Sequence, residues 1–174
     1  MKSSSPPSQA DFHQAISSRG DRWFGACLRI THSRELAEDA VQDALLSAWQ
    51  KRHQFQHGAR LDTWIHRIAV NAALQLLRKR RPGVFEPLDF DIEDEEPELE
   101  DTRHAEELGA DLARALDKLS DIERVCFVLK HLEEWRLKEI AEETGSNVGT
   151  VKQALFRGVR KLRGSMPTLR SVTT

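Results

Sequence analysis

The chain has 174 residues, of which 39% are hydrophobic and 31% are charged, and its formal net charge is −2. This length is enough for one larger or two small domains, each with a core of its own. No stretch approaches the roughly 20 apolar residues that a membrane-spanning helix needs, so the composition argues against membrane insertion.

The N-terminal part begins with residues 1–9, which are rich in Ser and Pro and carry no apolar run. We expect a disordered tail there rather than a signal peptide, and hence a cytoplasmic protein. Apolar residues then recur at helical spacing from Phe12 to Ile30, which predicts one or two helices broken near Ser18 and Gly20.

A long second helix is predicted after Ser33, which has the right chemistry for an N-cap. Its apolar positions between Leu36 and Trp49 keep the helical period. Another face carries a strip of side chains at i, i+3, i+4 and i+7, namely Asp39, Gln42, Asp43 and Leu46. Such an acidic face with one apolar member suits a basic partner helix, although a solvated surface explains it as well.

A third helix is predicted from Leu61 or Asp62 to Arg81, after a loop over residues 54–60 that breaks at Gly58. Its expected core face consists of Trp64, Ile65, Ile68, Ala69, Ala72, Leu76 and Leu77. The helix ends in four consecutive cations, residues 78–81, before Pro82 stops it. Cations here complement the helix dipole, but four in a row also favour a phosphate backbone as partner.

An acidic segment divides the chain. Between Glu86 and Asp111 there are thirteen acidic residues and one basic residue, a local charge of −12 that leaves +10 for the remainder. With Pro82, Pro87 and Pro97 nearby, this segment cannot bury enough apolar surface to fold alone. It provides solubility and reach, or it mimics nucleic acid and competes for basic surface. We therefore predict an all-α fold of two small helical domains, residues 10–82 and 108–165, joined by a flexible acidic linker at 83–107 and followed by a tail at 166–174.

A helix-turn-helix is predicted in the second domain. Leu137, Ile140 and Ala141 form an apolar stripe, Gly145 stands where the chain leaves helical geometry, and Asn147 can cap the next helix. The expected buried face of that helix consists of Val148, Val151, Leu155, Val159 and Leu162. The opposite face is strongly basic and suits phosphates and base edges, with Lys152, Gln153, Phe156, Arg157, Arg160, Lys161 and Arg163. A solvated amphipathic helix on a bundle is the alternative.

Two cysteines and a group of polar residues remain. Cys27 and Cys126 have no Cys-x-x-Cys partner and stand within apolar helical pattern, so we expect buried free thiols. A few imidazoles and one carboxylate could imitate a metal site, namely His53, His57, Asp62 and His66. A polar helix end explains them equally well, and no motif of catalysis or cofactor binding accompanies them. We therefore expect no metal, no cofactor and no enzyme activity.

Four segments in order resemble the signatures of the small bacterial sigma factors of the extracytoplasmic-function (ECF) group, in the sigma-70 family. They are Ala37–Trp49, Thr63–Ala73, Leu119–Arg124 and Gly149–Lys152. The resemblance covers about residues 10–82, as a region 2-like domain, and 108–164, as a region 4-like domain. The variable linker of the family falls between them.

The resemblance implies a role for each surface. In the family, the acidic strip of region 2 docks on RNA polymerase, which assigns Asp39, Gln42, Asp43 and Leu46 to the core-polymerase interface. The loop and the third helix would hold the −10 promoter element as a single strand, through Arg60, Thr63, Arg67, Asn71, Arg78 and Lys79. The helix-turn-helix would read the −35 duplex through Thr150, Lys152, Gln153, Phe156, Arg157 and Arg160. Implied partners are core RNA polymerase (its β′ clamp and β flap), promoter DNA and an anti-sigma protein.

The chain departs from the family after Gly149–Lys152. Where the family commonly continues with Ser-Arg, this chain has Gln153 and Ala154. Gln153 could pair with adenine through its amide and so replace the missing guanidinium as a base reader.

Two functions fit these residues. One is an ECF sigma factor that directs core polymerase to the promoters of a specific regulon, and the other is an autonomous helix-turn-helix regulator of transcription. The acidic strip and the Thr63–Asn71 helix favour the first, because a simple repressor needs neither.

Overall fold

The computed structural model describes residues 5–86 and 109–165, and the chain divides into two compact units, Met1–Arg80 and Arg81–Thr174. Every secondary-structure element in the described residues is a helix, so the predicted all-α fold is confirmed. The helices are α1 (Gln9–Thr31), α2 (Arg34–Gln50), a short 3₁₀ turn (Arg52–Gln54), α3 (Leu61–Arg80), α4 (Gly109–Leu116), α5 (Asp121–Phe127), a π-helical segment (Val128–Leu132), α6 (Leu137–Thr144) and α7 (Val148–Ser165). Most of the predicted linker at 83–107 and the tail at 166–174 lie outside the described residues.

Helix α1 is a single helix, so the break predicted near Ser18 and Gly20 is wrong. Ser18 is accommodated inside the helix, where its hydroxyl donates to the carbonyl of Gln14 at 2.9 Å. The helix also starts early, within the span predicted as a tail. Ser8 caps it, since its Oγ accepts from the Asp11 amide at 3.2 Å while the Asp11 carboxylate accepts from the Ser8 amide at 2.8 Å.

Helix α2 packs through alanines. The predicted cap is confirmed, because Ser33 Oγ accepts from the Leu36 amide at 3.3 Å. The buried face contains Leu36 and four alanines with no exposed surface, namely Ala37, Ala40, Ala44 and Ala48. Side chains this small let the backbone of α2 pack close to the neighbouring helices, so α2 packs mainly without large buried side chains.

Helix α3 buries a different face from the predicted one. The predicted residues Ile65, Ala69 and Leu77 are buried, but Trp64, Ile68, Ala72 and Leu76 are only half-buried. Their places in the core are taken by Val70, Ala73 and Leu74. Because α3 packs against both α1 and α2, the face that it buries is set by two partners and not by its own periodicity.

The second unit is built around α5 and the helix-turn-helix. Helix α5 begins at a capping box of Ser120 and Glu123 and continues into the π-helical segment. The turn that follows places Glu134 at φ 58° and buries Trp135, whose amide donates to the carbonyl of Leu129 at 2.8 Å. Helix α6 then ends at Gly145 with φ 67°, the left-handed conformation for which the sequence predicted glycine.

Helix α7 is fixed on α5 by a buried carboxylate. Glu123 is 4% exposed, and its Oε1 accepts from Lys161 Nζ at 2.6 Å and from the Ser120 amide at 2.9 Å. Gly158 faces the same residue, where an added Cβ would lie 3.6 Å from the Glu123 carbonyl oxygen. Lys161, predicted on the DNA-facing side, is therefore ion-paired with α5. Removing one partner of such a pair leaves a buried charge uncompensated.

The pKa of His131, in the π-helical segment, makes the second unit sensitive to acid. Burial, followed by the charge of Lys130, lowers the pKa of His131 to about 4 from 6.5. Between these values the unfolded chain binds a proton that the folded chain does not, so the free energy of unfolding is expected to fall as the pH falls through this window. Urea unfolding at pH 7.5 and pH 5 measures the effect.

The variant His131→Gln is expected to lose part of this pH dependence, whereas the exposed His13→Gln should retain it. Equal pH dependence in the wild type and in His131→Gln would contradict the assignment.

Limited proteolysis with a Glu-specific protease is expected to cut first between Gly83 and Arg103, because this segment is acidic and rich in proline. Mass spectrometry of the first fragments identifies the cut. A resistant fragment that runs intact through the segment would count against a flexible linker.

Candidate functional site

The predicted strip on α2 is exposed along its whole length. Asp39, Gln42 and Asp43 are exposed, and Leu46 is 59% exposed, the largest value among the exposed large hydrophobic residues described. The four side chains lie opposite the buried alanines, as the helical spacing predicts.

The carboxylates of α2 fall into two groups. Glu35 pairs with Arg80 at 3.7 Å and Glu38 pairs with Arg34 at 3.1 Å. Within residues 5–86 and 109–165, by contrast, neither Asp39 nor Asp43 forms an ion pair. The strip therefore presents two uncompensated negative charges beside an exposed leucine.

Apolar surface continues from Leu46 to the end of α2. Trp49 is 37% exposed, with its ring edge-to-face against Phe12 at 5.2 Å between centroids. The Arg52 guanidinium lies 4.0 Å from the centre of the Trp49 ring, a cation–π contact. Trp49 thus joins the exposed surface rather than the core.

The loop before α3 is held by aromatic rings. Phe55 contacts His57 at 4.9 Å and Trp64 at 5.2 Å between ring centroids. Trp64, predicted as a core anchor, is half-buried, and Trp23 of α1 is the fully buried tryptophan of this unit.

Asp62 connects this loop to α1. Its Oδ1 accepts from Arg60 Nε at 3.2 Å and from the Thr63 amide at 3.0 Å, and its Oδ2 lies 3.2 Å from Arg19 Nε. The Asp62 carbonyl also accepts from the Trp23 indole at 3.2 Å. This role of Asp62 could not be predicted from the sequence, because Arg19 and Trp23 are about forty residues away along the chain.

An open cleft of about 420 Å³ lies between the loop and the N-terminal half of α1. Its volume falls within the range of about 300–1,000 Å³ found for ligand pockets. The lining includes Pro7, Asp11, Phe55, His57, Arg60 and Asp62. Asp11 is ionised readily here, because its hydrogen bond with the Ser8 backbone, together with the Ser8 hydroxyl, lowers its pKa.

The predicted −10 residues on α3 share one face, since Thr63, Arg67, Asn71 and Arg78 follow one another at steps of four, four and seven. Thr63 is exposed, and the other three are half-buried. The Asn71 Oδ1 atom is buried and has no hydrogen-bond partner among the described residues. A buried acceptor in this state costs free energy.

The four cations at residues 78–81 are not equivalent, and α3 ends at Arg80, one residue before its predicted end. Arg80 pairs with Glu35, whereas Lys79 is exposed and has no ion-pair partner in the described part of the chain. Lys79 is therefore the cation of this group most available to a phosphate.

The start of α7 agrees with the predicted helix-turn-helix. Asn147 Oδ1 accepts from the Thr150 amide at 2.8 Å, so the predicted cap is confirmed. Val148, predicted to be buried, is 37% exposed, because it lies in the first turn before α7 reaches the core. In this first turn Gly149 is also exposed and Thr150 is half-buried.

The two faces of α7 are clearly separated. Its buried side consists of Val151, Ala154, Gly158, Val159 and Leu162, while Leu155 is half-buried. The opposite side carries the predicted −35 residues, with Lys152 and Arg160 exposed and Gln153, Phe156 and Arg157 half-buried. Ala154 is 5% exposed, so the position that lacks the family's arginine faces the core in this chain.

Residues 5–86 and 109–165 contain neither a metal-binding cluster nor a membrane-spanning helix. No three His, Cys, Asp or Glu side chains meet as a metal site in the described residues, and His57 instead lies 3.2 Å from the Ser5 carbonyl. Across the same residues, every helix is too short or too polar to cross a bilayer. Cys27 and Cys126 are buried and form no disulfide within the described residues, as predicted, and burial raises the pKa of Cys126 to about 12.

Comparison with known proteins matches each unit separately. The family sigma-70 region 2 matches residues 16–82, and sigma-70, region 4 matches residues 109–162. The ECF RNA polymerase sigma factor SigW of Bacillus subtilis is 30% identical over 86% of this chain and 85% of its own length. The ECF RNA polymerase sigma factor SigE of Mycolicibacterium smegmatis is 31% identical over 86% of this chain, which spans 59% of that relative.

A solved structure gives the same fold. The sigma factor RpoE of Bartonella quintana, crystallised in complex with the anti-sigma factor NepR, aligns with a TM-score of 0.55 at 24% identity. The alignment covers 88% of this chain and 95% of that one.

Proposed function

The chain belongs to the sigma-70 family, among the ECF RNA polymerase sigma factors, and on this premise we propose that it binds core RNA polymerase and directs it to the promoters of a specific regulon. The observation that supports this most strongly is the pair of unpaired carboxylates, Asp39 and Asp43, on the exposed face of α2. Such a strip complements the charge of a basic partner, whereas a protein that only binds DNA does not need one.

In this proposal, Asp39, Gln42, Asp43 and Leu46 bind the clamp of polymerase. The carboxylates provide charge complementarity, and Leu46, followed by Trp49, provides apolar contact at the end of the strip. The protein works in the cytoplasm with polymerase, and the catalysis of transcription belongs to polymerase.

The −10 element is held as a single strand in this proposal. Arg60, Thr63 and Arg67 line one path along the loop and α3, and Lys79 extends it with a phosphate contact. An unstacked base has a place in the adjacent cleft. The Asn71 Oδ1 atom is unpartnered among the described residues but buried, so a local movement would have to expose it before an exocyclic amine of a base donates to it. Arg78 completes this set of proposed contacts.

The −35 element is read as duplex by the outer face of α7. Thr150 and Gln153, at its projecting end, face base edges, and the cations Lys152, Arg157 and Arg160 follow the phosphates. Phe156 adds an apolar contact, for example to a thymine methyl group.

An inhibitor is also part of the proposal. The structural relative from Bartonella quintana is bound to an anti-sigma factor. We infer a protein of the same class for this chain, which would cover the α2 strip or the basic faces and so keep the chain from polymerase.

Gel filtration of the purified chain with core polymerase, followed by run-off transcription, tests the function. Co-elution and new promoter-specific transcripts are expected. Specific binding to duplex DNA without polymerase, together with no co-elution, would instead establish an autonomous regulator. The basic face of α7 is compatible with that alternative.

A further inference from the structure

Asp62 lies where the loop meets α3, between two proposed −10 contacts. We propose that Asp62 is a positioning residue for reading the −10 strand: its carboxylate fixes the Arg60 side chain and the first turn of α3 in the orientation that contacts DNA. This inference rests on the proposed −10 role of Arg60 and Thr63.

Asp62 contacts α1 on one side and the proposed −10 contacts on the other. On the α1 side, its carbonyl accepts from Trp23, which is 1% exposed, and its Oδ2 faces Arg19 of α1 at 3.2 Å. On the other side, Oδ1 accepts from Arg60 Nε at 3.2 Å and from the Thr63 amide at 3.0 Å. Asp62 thus connects α1 to both proposed readers, Arg60 and Thr63.

The exposures of these groups show what the Asp62–Arg60 pair can do. The Asp62 side chain is 12% exposed, but that of Arg60 is 73% exposed. An ion pair with one partner so exposed adds little to folding stability. It does restrict the rotamers of a long side chain, and a side chain ordered in advance loses less entropy when it binds. Binding, rather than folding, is therefore where the pair acts.

The sign of the charge provides a sharp test. Asp62 is an anion beside a polyanion, so as a mere neighbouring charge it would weaken DNA binding, and its neutralisation would strengthen it. If Asp62 is a positioning residue, its neutralisation frees the Arg60 side chain and lowers the preference for the favoured −10 sequence.

The test uses the full chain, core polymerase and a promoter library with a randomised −10 segment, with run-off transcripts sequenced to give the preference at each position. Arg60→Ala is expected to reduce the preference at the position it contacts by about tenfold, the scale of one good base contact. Asp62→Ala should reduce it at the same position by a similar factor. The double variant should lose no more than Arg60→Ala alone, because the two residues act as one unit.

Controls separate position from charge and from folding. Asp21→Asn removes an exposed carboxylate of α1 and should leave every preference unchanged. Asp62→Asn keeps the size of the side chain but weakens its contacts with Arg60 and Arg19 by removing the charge, so it should lower the preference in the same direction, by a smaller factor, if Asp62→Ala folds poorly. Core-polymerase binding should be unaffected in all variants.

The outcomes are distinct. Three results would overturn the positioning role and leave the proposed function intact. The first is a loss of −10 preference in Arg60→Ala but not in Asp62→Ala. The others are a stronger −10 preference when Asp62 is neutralised, and additive losses of preference in the double variant. No effect of Arg60→Ala would overturn its −10 assignment, and with it any positioning through Arg60.

Discussion

The double variant Asp39→Ala with Asp43→Ala is expected to keep its fold and lose core-polymerase binding. Both side chains are exposed and form no ion pair within the described residues, so their removal should change the free energy of unfolding by only about 0.5 kcal/mol. At a desolvated interface, loss of two paired charges should cost several kcal/mol of association, on the order of 2–5 kcal/mol.

Circular dichroism and the thermal midpoint check the fold, and titration of labelled chain with core polymerase measures the affinity. Asp21→Ala, which removes one exposed carboxylate from α1, is the control and should bind normally. Unchanged affinity of the double variant would remove the docking assignment and favour the autonomous regulator.

The opposite phenotype is expected from Asn71→Ala. Its Oδ1 is buried without a partner in the described part of the chain, so removing the amide does not break an observed hydrogen bond of that oxygen. Polymerase binding should persist, but promoter opening should be impaired. The permanganate reactivity of unpaired thymines measures the opening. Normal opening would contradict the −10 role of Asn71.

Two substitutions on α7 are expected to weaken −35 binding in different ways. Arg157→Ala should weaken binding to all duplexes and reduce the salt dependence by about one phosphate contact. Gln153→Ala should change base preference at a single position, by about 1–3 kcal/mol if its amide makes a bidentate contact. The difference arises because a guanidinium on a phosphate carries no sequence information, whereas an amide on a base edge does.

Holoenzyme binding to −35 duplex variants over a range of salt concentrations distinguishes the two. Lys118→Ala, an exposed cation outside α7, serves as the charge control and should leave the salt slope nearly unchanged. If Gln153→Ala left promoter selection unaltered, Gln153 would not be the replacement base reader.

The elements that the sequence predicted well are those with local causes. The caps at Ser33 and Asn147 and the turn at Gly145 depend on residues within four positions, so a reader of the sequence has all the interacting groups in view. The exposed strip on α2 was predictable for the same reason, because its inner face is alanine and its outer face is polar.

The errors concern elements whose structure depends on distant partners. Gly20 was expected to break α1, but a glycine inside a helix costs only about 1 kcal/mol, which packing on both sides offsets. On α3, apolar residues occur nearly all around the helix, so the positions of α1 and α2 decide that Val70 is buried and Ile68 is half-buried. Asp62 was missed because Arg19 and Trp23 reach it only in the folded chain.

The alanine face of α2 has a consequence for protein engineering. The inner face of α2 is buried, and none of its residues belongs to the exposed outer strip. The outer strip can therefore be changed without changing the inner face. Varying positions 39, 42, 43 and 46 together would leave the packing of the helix intact. Given the proposed docking of this strip on the polymerase clamp, a library at these four positions, selected against polymerases with altered clamps, offers a route to matched pairs in which each polymerase transcribes only with its own promoter-selecting subunit.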